Sequence, residues 1–439
     1  MSNGLNDSEQ TGIIKGTLHS FIFQGISIAL VFAGNLFLTR WAGADSYGQY
    51  VHVFNWISIL SVLAIGGRED LAISEITKYK VDNQPWKIYT MVKYLNRHVF
   101  VASFIISSIF LTIIFLVPIK TLHEYRFEFL MASAAIYFIA FLTLNQFVLQ
   151  ALNHIRLSQL IEKLVKPFLL FALFAAAWLW MPRPGASFLI LLVVGVMAIC
   201  CILLAWLLLK KINKFRPPVM TTPGRDNLTK KTFYFFSITL LTLLVTKISM
   251  LLLPFFAPQK DIGIFYVSYR FAELIVYPFA LMHAVLPQLF ARHTNSAIDY
   301  KQSLYSESTK LMLILSLPLL VLNILAGRWL LSWFGKEFVS GYTSMIFLSI
   351  AQFLYSLFGP ANTILMMQNK EKYAVICLLV YVIVIFLMNL LLLPALGIAG
   401  GAISMLISCL IYNIILSIQV YRLSGVVSPI FSWLISTRK

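Results

Sequence analysis

Arg270 and Glu273 lie in the middle of an otherwise apolar stretch, Gly263 to Leu286, that is long enough to cross a bilayer. Lys247 lies midway through the preceding apolar run, Phe233 to Phe256. A charge at the bilayer centre costs ~3 kcal/mol or more, so it is rarely found there without a partner or a wet cavity. The i, i+3 spacing of Arg270 and Glu273 sets guanidinium and carboxylate on one helical face. With Tyr266 and Tyr277 they follow a 4-3-4 spacing and form one polar, aromatic stripe. A planar, permanently charged guanidinium suits a phosphate, and tyrosine rings carry a hydroxyl on a flat apolar face suited to sugars. Lys247 is roughly ten residues, ~15 Å, from either interface, beyond easy snorkelling reach. The chemistry these residues support is the holding of an anion at mid-depth. The alternative is structural: an Arg–Glu pair that locks two helices, and a Lys247 bridge to Glu273. Pro278 is expected to kink the helix and free a carbonyl near Glu273.

Uncharged polar faces recur on other apolar runs. Gln352, Tyr355, Gly359 and Asn362 share a 3-4-3 spacing, with a kink expected at Pro360; His52, Asn55 and Ser58 form a second set. Gln24, Ser27 and Asn35 form a third, and Ser404, Ser408 and Tyr412 a fourth. Singly these are ordinary helix–helix glue in a membrane. Collectively they mark spans expected to face a cleft, so Gln352, Asn362 and Asn55 join Arg270, Lys247, Glu273, Tyr266 and Tyr277 as candidate substrate-binding residues. Arg40 and Asp45 flank the first external turn, and Arg68, Glu69 and Asp70 close span 2 on the inside. These read as interface anchors, with Arg40, Asp45 and Arg68 as gating candidates.

The elements that carry these residues follow from composition. Of 439 residues, 59% are hydrophobic and only 12% charged, with a mean hydropathy of +0.84. Soluble domains carry about 25% charged residues, so the chain is an all-α integral membrane protein. Continuous apolar runs of ~20 residues exclude a β-barrel, whose strands alternate over ~10. Twelve spans are expected, near 17–39, 49–67, 98–119, 127–150, 164–181, 187–209, 232–256, 263–286, 309–334, 342–366, 373–394 and 398–421. The net charge of +17 would suggest nucleic acid in a soluble chain, but its distribution gives topology instead. Twenty-five of the 34 Lys and Arg residues fall on the face of the N-terminus and seven on the other. The positive-inside rule therefore puts both termini of this multi-pass protein in the cytoplasm. The Ala42-Gly43-Ala44 run resembles a signal-peptidase site, but the apolar run before it is too long for a signal core, so span 1 is expected to be retained. The C-terminal run Pro429 to Ile435 is too short to span and is expected at the inner interface.

A polar connection, Lys210 to Lys231, with Pro217, Pro218, Pro223 and Gly224, separates six spans from six. The expected organisation is an N-terminal lobe over 1–209, a linker over 210–231, a C-terminal lobe over 232–421 and a tail over 422–439. Tyr47-Gly48-Gln49-Tyr50 aligns with Ile262-Gly263-Ile264-Phe265 at an offset of 215, and Leu149 to Arg156 aligns with Leu365 to Lys372 at 216. Two weak matches at nearly one offset point to duplication. With six spans per half, the repeats are parallel, and two six-helix lobes around a central cavity are expected.

Several chemistries are absent from the pattern. No Walker motif or phosphate-cradling glycine loop is present, no His/Cys/carboxylate group has metal spacing, and no Ser-His-Asp order is evident. His98, His123, His154 and His293 fall at span ends or in loops and read as interfacial. No cofactor or metal is expected, and Cys200, Cys201, Cys377 and Cys409 read as small apolar packing residues.

Arg40-Trp41-Ala42-Gly43-Ala44-Asp45-Ser46-Tyr47-Gly48-Gln49-Tyr50 resembles the "R…LG…YG.Y" pattern that opens span 2 in bacterial polysaccharide-unit flippases. Asn369-Lys370-Glu371-Lys372 resembles their "GK.K" turn, with Asn in place of Gly. Twelve spans and a basic mid-chain loop fit as well. The chain thus resembles the Wzx-like, O-antigen-type branch of the multidrug/oligosaccharidyl-lipid/polysaccharide exporter (MOP) superfamily. That resemblance implies a transporter, not an enzyme, that moves an undecaprenyl-diphosphate-linked oligosaccharide between leaflets by alternating access. It implies a cationic cavity, a role that Lys247 and Arg270 fit; span 1 carries no mid-span Arg or Lys. A lipid-diphosphate-linked glycan is the expected partner of a monomer surrounded by membrane lipid, with no nucleic acid. Glu273 is the best titratable group for coupling to H⁺ or Na⁺. A multidrug or small-molecule antiporter of the same superfamily is the alternative, although two bases against one acid disfavours a cationic cargo. A membrane polysaccharide polymerase would need a large external loop, and the external loops here are very short.

Overall fold

The computed structural model describes residues 7–82, 84–116, 125–181, 183–215, 228–277, 298–367 and 370–436. Pro278, Asn369, His123, His293 and the prolines of the mid-chain linker lie outside the described residues, as do the side chains of Gln24 and Trp433. Among the described residues all regular structure is helical. The helices are α1 (Asp7–Ile65), α2 (Arg68–Val81), α3 (Pro85–Leu116), α4 (Arg126–Ala151) and α5 (Ile155–Leu160). A π turn (Ile161–Val165) joins α5 to α6 (Lys166–Trp178), and α7 (Ala186–Ile212) and α8 (Leu228–Leu252) follow. The remainder are α9 (Gln259–Glu273), α10 (Ile298–Ser332), α11 (Tyr342–Phe358), α12 (Ala361–Met367), α13 (Glu371–Ser424) and α14 (Pro429–Ser436).

Among the described residues, eight helical stretches are long and apolar enough to cross a membrane. Two of the longest helices are interrupted by glycine: α1 at Gly43 (φ 78°) and α13 at Gly397 (φ 54°). Positive φ is costly for residues with a Cβ, so these are the positions at which a 59-residue and a 54-residue helix can each break into two. The break expected between the spans 373–394 and 398–421 comes at Gly397, with Pro394 kept inside α13. The kink expected at Pro360 is present as a full stop: α11 ends at Phe358, Gly359 takes φ 71°, and α12 resumes at Ala361.

The chain divides into two compact units, one of residues 1–42 and 53–240 and one of residues 43–52 and 241–439. In the first, α4 packs against α2, α3 and α7 through Phe129, Ala132, Ile136, Ala140, Leu144 and Val148. Between α3 and α4, Asn96 and Asn145 exchange amide hydrogen bonds of 3.0 and 2.8 Å, which satisfies both side chains away from water. The faces turned away from this core are apolar: Phe104 is 69% exposed and Ile202 71%, as lipid-facing positions require.

In the second unit α11 is central and contacts α9, α10 and α13. Small polar residues let the backbones approach: Asn323 donates to Ser349 Oγ (3.0 Å) and to the Phe271 carbonyl (3.1 Å), and Ser316 to the Ile275 carbonyl (2.8 Å). The 43–52 segment joins this unit by lying against α9 at Gly48 and Gly263. A Cβ on Gly48 would overlap the Gln259 carbonyl and stand 3.1 Å from Gly263 N, and one on Gly263 would stand 2.8 Å from Ala44 O. These are the two glycines that the sequence match at an offset of 215 places in register, and they lie against each other. The second repeat match also has a structural counterpart. His154 N donates to Leu149 O (2.8 Å) and Lys370 N to Leu365 O (3.0 Å), the same six-residue helix-ending bond at an offset of 216.

Candidate functional site

The stripe on α9 occupies the less buried side of a helix whose other faces are packed. Ile262, Gly263, Phe265, Val267, Ser268, Phe271 and Ala272 are buried, while Tyr266, Arg270, Glu273 and, just beyond the helix, Tyr277 are half-buried. Arg270 Nη1 donates to Glu273 Oε2 at 2.6 Å, and Nη2 donates to the Tyr266 hydroxyl. The guanidinium also lies 4.8 Å from the Tyr266 ring centroid, and Lys247 Nζ of α8 lies 5.8 Å from the same centroid. Lys247 interacts electrostatically with both Arg270 and Glu273, and Tyr277 with Glu273, Arg270 and Tyr266. The structure therefore brings Lys247, Tyr266, Arg270, Glu273 and Tyr277 together.

This arrangement differs from a structural lock between helices. Glu273 pairs with Arg270 on its own helix, and no ion pair joins Lys247 to Glu273 within 4.0 Å among the described residues. Side-chain exposures of 28% for Arg270 and 30% for Glu273 show that the pair is not sealed in a packed seam. Arg270 also keeps a donor in hand, since its Nε is buried with no hydrogen-bond partner in the structure. An unmet donor on a buried cation costs ~1–3 kcal/mol or more, which an incoming anion would recover. Two bases against one carboxylate leave the group with a surplus positive charge. Such a group has the charge and the aromatic face that would suit an anion.

Tyr47 and Tyr50 were marked in the sequence as motif residues and not as site candidates, yet they belong to the group. The Tyr47 ring packs edge-on against Tyr266 at 6.0 Å and lies 6.1 Å from that of Tyr50. Both interact electrostatically with Tyr266 and Arg270. Their i, i+3 spacing was the available signal. Tyr269, buried on α9, also interacts with Glu273 and Arg270.

The other candidates are placed differently. Gln352 is buried and Asn362 half-buried with its Oδ1 unpartnered, and no described hydrogen bond joins either to Arg270. Asn55 is buried in the first unit. Arg40 and Asp45 are both exposed. Arg68 donates from Nη1 to the Ile65 carbonyl at 2.7 Å, and so closes the end of α1. Among the described residues no group of three or more His, Cys, Asp or Glu is placed to hold a metal ion.

Residues 13–293 match the family described as polysaccharide biosynthesis protein. No curated protein sequence matches the chain. Solved structures resemble it at low identity. An inward-facing multidrug resistance MATE family transporter of the MOP superfamily has a TM-score of 0.73 at 12% identity, over 93% of this chain and 98% of that one. The lipid II flippase MurJ, in an inward closed conformation, has a TM-score of 0.70 at 13% identity, over 93% and 87%. A MOP superfamily transporter from Pyrococcus furiosus, described as having a binding pocket of reversed polarity, has a TM-score of 0.68 at 12% identity, over 94% and 95%. The family match covers well over half of the chain, so this is a multi-pass membrane protein of the polysaccharide biosynthesis protein family, with the fold of MOP-superfamily transporters.

Proposed function

We propose that the protein is a flippase that carries an undecaprenyl-diphosphate-linked oligosaccharide from the inner to the outer leaflet of the cytoplasmic membrane. The observation that carries this reading is the Lys247–Tyr266–Arg270 group: two cations on adjacent membrane helices, stacked about one aromatic ring, with an unmet guanidinium donor. A diphosphate supplies the charge that such a group lacks. Tyr47, Tyr50 and Tyr277 offer faces for the first sugars. Membership of a polysaccharide biosynthesis family supports a glycan cargo, and MurJ, by name a lipid II flippase, supports a lipid-linked one.

In this reading twelve spans form two six-helix lobes, 1–209 and 232–421, and both termini are cytoplasmic. The headgroup binds from the cytoplasmic side, the lipid tail stays in the bilayer, and alternating access delivers the headgroup outward. Glu273 is the titratable group through which H⁺ or Na⁺ would couple, since its protonation would release Arg270 from their ion pair. Gln352, Asn362 and Asn55 complete the proposed binding set, and Arg40, Asp45 and Arg68 the gating set. The test is the leaflet distribution of lipid-linked precursor in cells whose only copy is Arg270→Ala. Precursor is expected to accumulate in the inner leaflet with glycan output reduced at least tenfold. Normal output at normal protein levels would remove Arg270 from the mechanism.

A further inference from the structure

A second basic site lies in the first unit, remote in sequence from the α9 stripe. The end of α2, the start of α3, the turn after α4 and the end of α7 enclose a cavity of about 420 Å³. It is lined by Tyr79, Lys80, Ile88, His154, Lys211 and Lys214, with Pro85 and Leu152 completing the wall. Pockets of this size accommodate small organic ligands. Lys80, Lys211 and His154 are half-buried, Lys214 is exposed, and Ile88 and Leu152 are buried. None of the three lysines forms an ion pair with a described carboxylate, and no carboxylate lines the cavity among the described residues. All three sit close enough to His154 that, after burial, their charges are what hold its imidazole below the usual histidine range.

Lysines at helix ends are ordinarily explained by topology and by the carbonyl dipole at a C-terminus. That account needs no cavity and no convergence of three amines on one imidazole. The depth of the site is marked by two exposed tryptophans, Trp86 beside Pro85 and Trp206 one turn before Lys210. Lys210 Nζ lies 3.6 Å from the Trp206 ring centroid. Exposed tryptophan on a membrane helix sits at the headgroup level, and Ile202 and Leu209 continue the apolar surface of α7 beside it.

We propose that this cavity binds a phosphate ester, and that its source is the headgroup of an anionic phospholipid in the cytoplasmic leaflet. Lys80, Lys211 and Lys214 supply the charge and Ile88 and Leu152 the apolar wall, while the Tyr79 hydroxyl is held by Glu75. Basic pockets between membrane helices on this face take such headgroups. The site is independent of the cargo proposed above, because it uses no residue of the α9 group.

The test uses the full-length protein in nanodiscs and in detergent. Binding of phosphatidylglycerol is measured by native mass spectrometry and by thermal stabilisation, against phosphatidylcholine and inorganic phosphate. Phosphatidylglycerol is expected to bind and stabilise, phosphatidylcholine to have little effect, and phosphate at millimolar concentration to compete only weakly. Lys80→Gln with Lys211→Gln should weaken phosphatidylglycerol binding roughly tenfold or more. Lys78→Gln with Lys210→Gln removes the same charge outside the cavity and should leave binding within about twofold of the unaltered protein. Equal losses in the two double variants would overturn the site in favour of diffuse surface attraction. Phosphate binding as tight as phosphatidylglycerol would overturn the lipid source. If the cavity pair fails to fold, Lys211→Gln alone serves, with the same comparison against Lys210→Gln.

Discussion

Tyr266 is the residue on which the candidate site converges, because it touches both cations in different ways. Its hydroxyl accepts from Arg270 and its ring lies beneath Arg270 and Lys247. The two contributions are separable. Tyr266→Phe removes a charge-assisted hydrogen bond of about 1.5–3 kcal/mol and keeps a ring; Tyr266→Leu removes the cation–π contact as well, ~0.5–2 kcal/mol more. Glycan output and precursor leaflet distribution are expected to fall in that order, and a Leu variant no worse than Phe would show that the ring is dispensable. His154 gives a prediction about pH. Its imidazole faces Lys80, Lys211 and Lys214, with Tyr79 of the same cavity held by Glu75. Because its folded pKa is depressed, the unfolded chain takes up the proton first as pH falls through about 6.5, so stability declines there. Thermal unfolding at pH 7.5 and 5.5 should show a larger acid loss for the unaltered protein than for His154→Gln, and an unchanged difference would argue against convergence of the three amines. Arg270, Glu273 and Lys247 were legible from sequence because a charge in an apolar run is conspicuous. Tyr47 and Tyr50 were legible as motif residues but not as part of the site, since their partner Tyr266 lay more than 200 residues away.

At the scale of elements, the contact of the 43–52 segment with α9 rests on the absence of two side chains. Gly48 and Gly263 bring backbone against backbone, and Glu337 fastens the same place: its Oε1 accepts from Ala44 N (3.1 Å), the first amide after the Gly43 break, and its Oε2 lies 3.6 Å from Lys260 Nζ. A carboxylate on the orphan amides of a helix start contributes ~1 kcal/mol. Gln49 and Gln259 add a side-chain hydrogen bond across the contact. Gly263→Ala and Gly48→Ala must each separate the helices, at about 1–3 kcal/mol. Gly34→Ala, whose new methyl meets nothing within 4 Å, is the control. Thermal melts should separate the first two from the third, and three equal melts would show that the close approach carries no energy. The kink at Pro360 was readable because proline cannot continue a helix, and the gap after the eleventh span was placed to within about three residues. Pro394 is absorbed inside α13, and the break was decided by backbone freedom at Gly397, which periodicity does not register.

For the whole molecule, composition alone fixed the class, since 12% charged residues cannot clothe a soluble protein of this length. Two short sequence matches at offsets of 215 and 216 pointed to a repeat; in the structure the glycines of the first lie against each other, and the segments of the second end in similar turn bonds. What no pattern in one sequence revealed is that residues 43–52 leave the unit of their neighbours, because pattern reports the type of a helix and not the company it keeps. Orientation is open to a direct measurement. The four native cysteines are buried, so labelling background should be low. A maleimide that does not cross membranes is expected to label Arg183→Cys in intact cells and Asp226→Cys only after permeabilisation, and the reverse pattern would invert the topology.

The borrowing of ten residues by the second unit sets a limit on how the chain can be divided. A cut in the mid-chain linker would release a C-terminal piece with Lys247, Arg270 and Glu273 but neither Tyr47 nor Tyr50, its helix at Gly263 left bare. Neither fragment would hold the whole group of tyrosines and cations. The two pieces would therefore have to be made together for the tyrosines of residues 43–52 to meet the cations of α8 and α9.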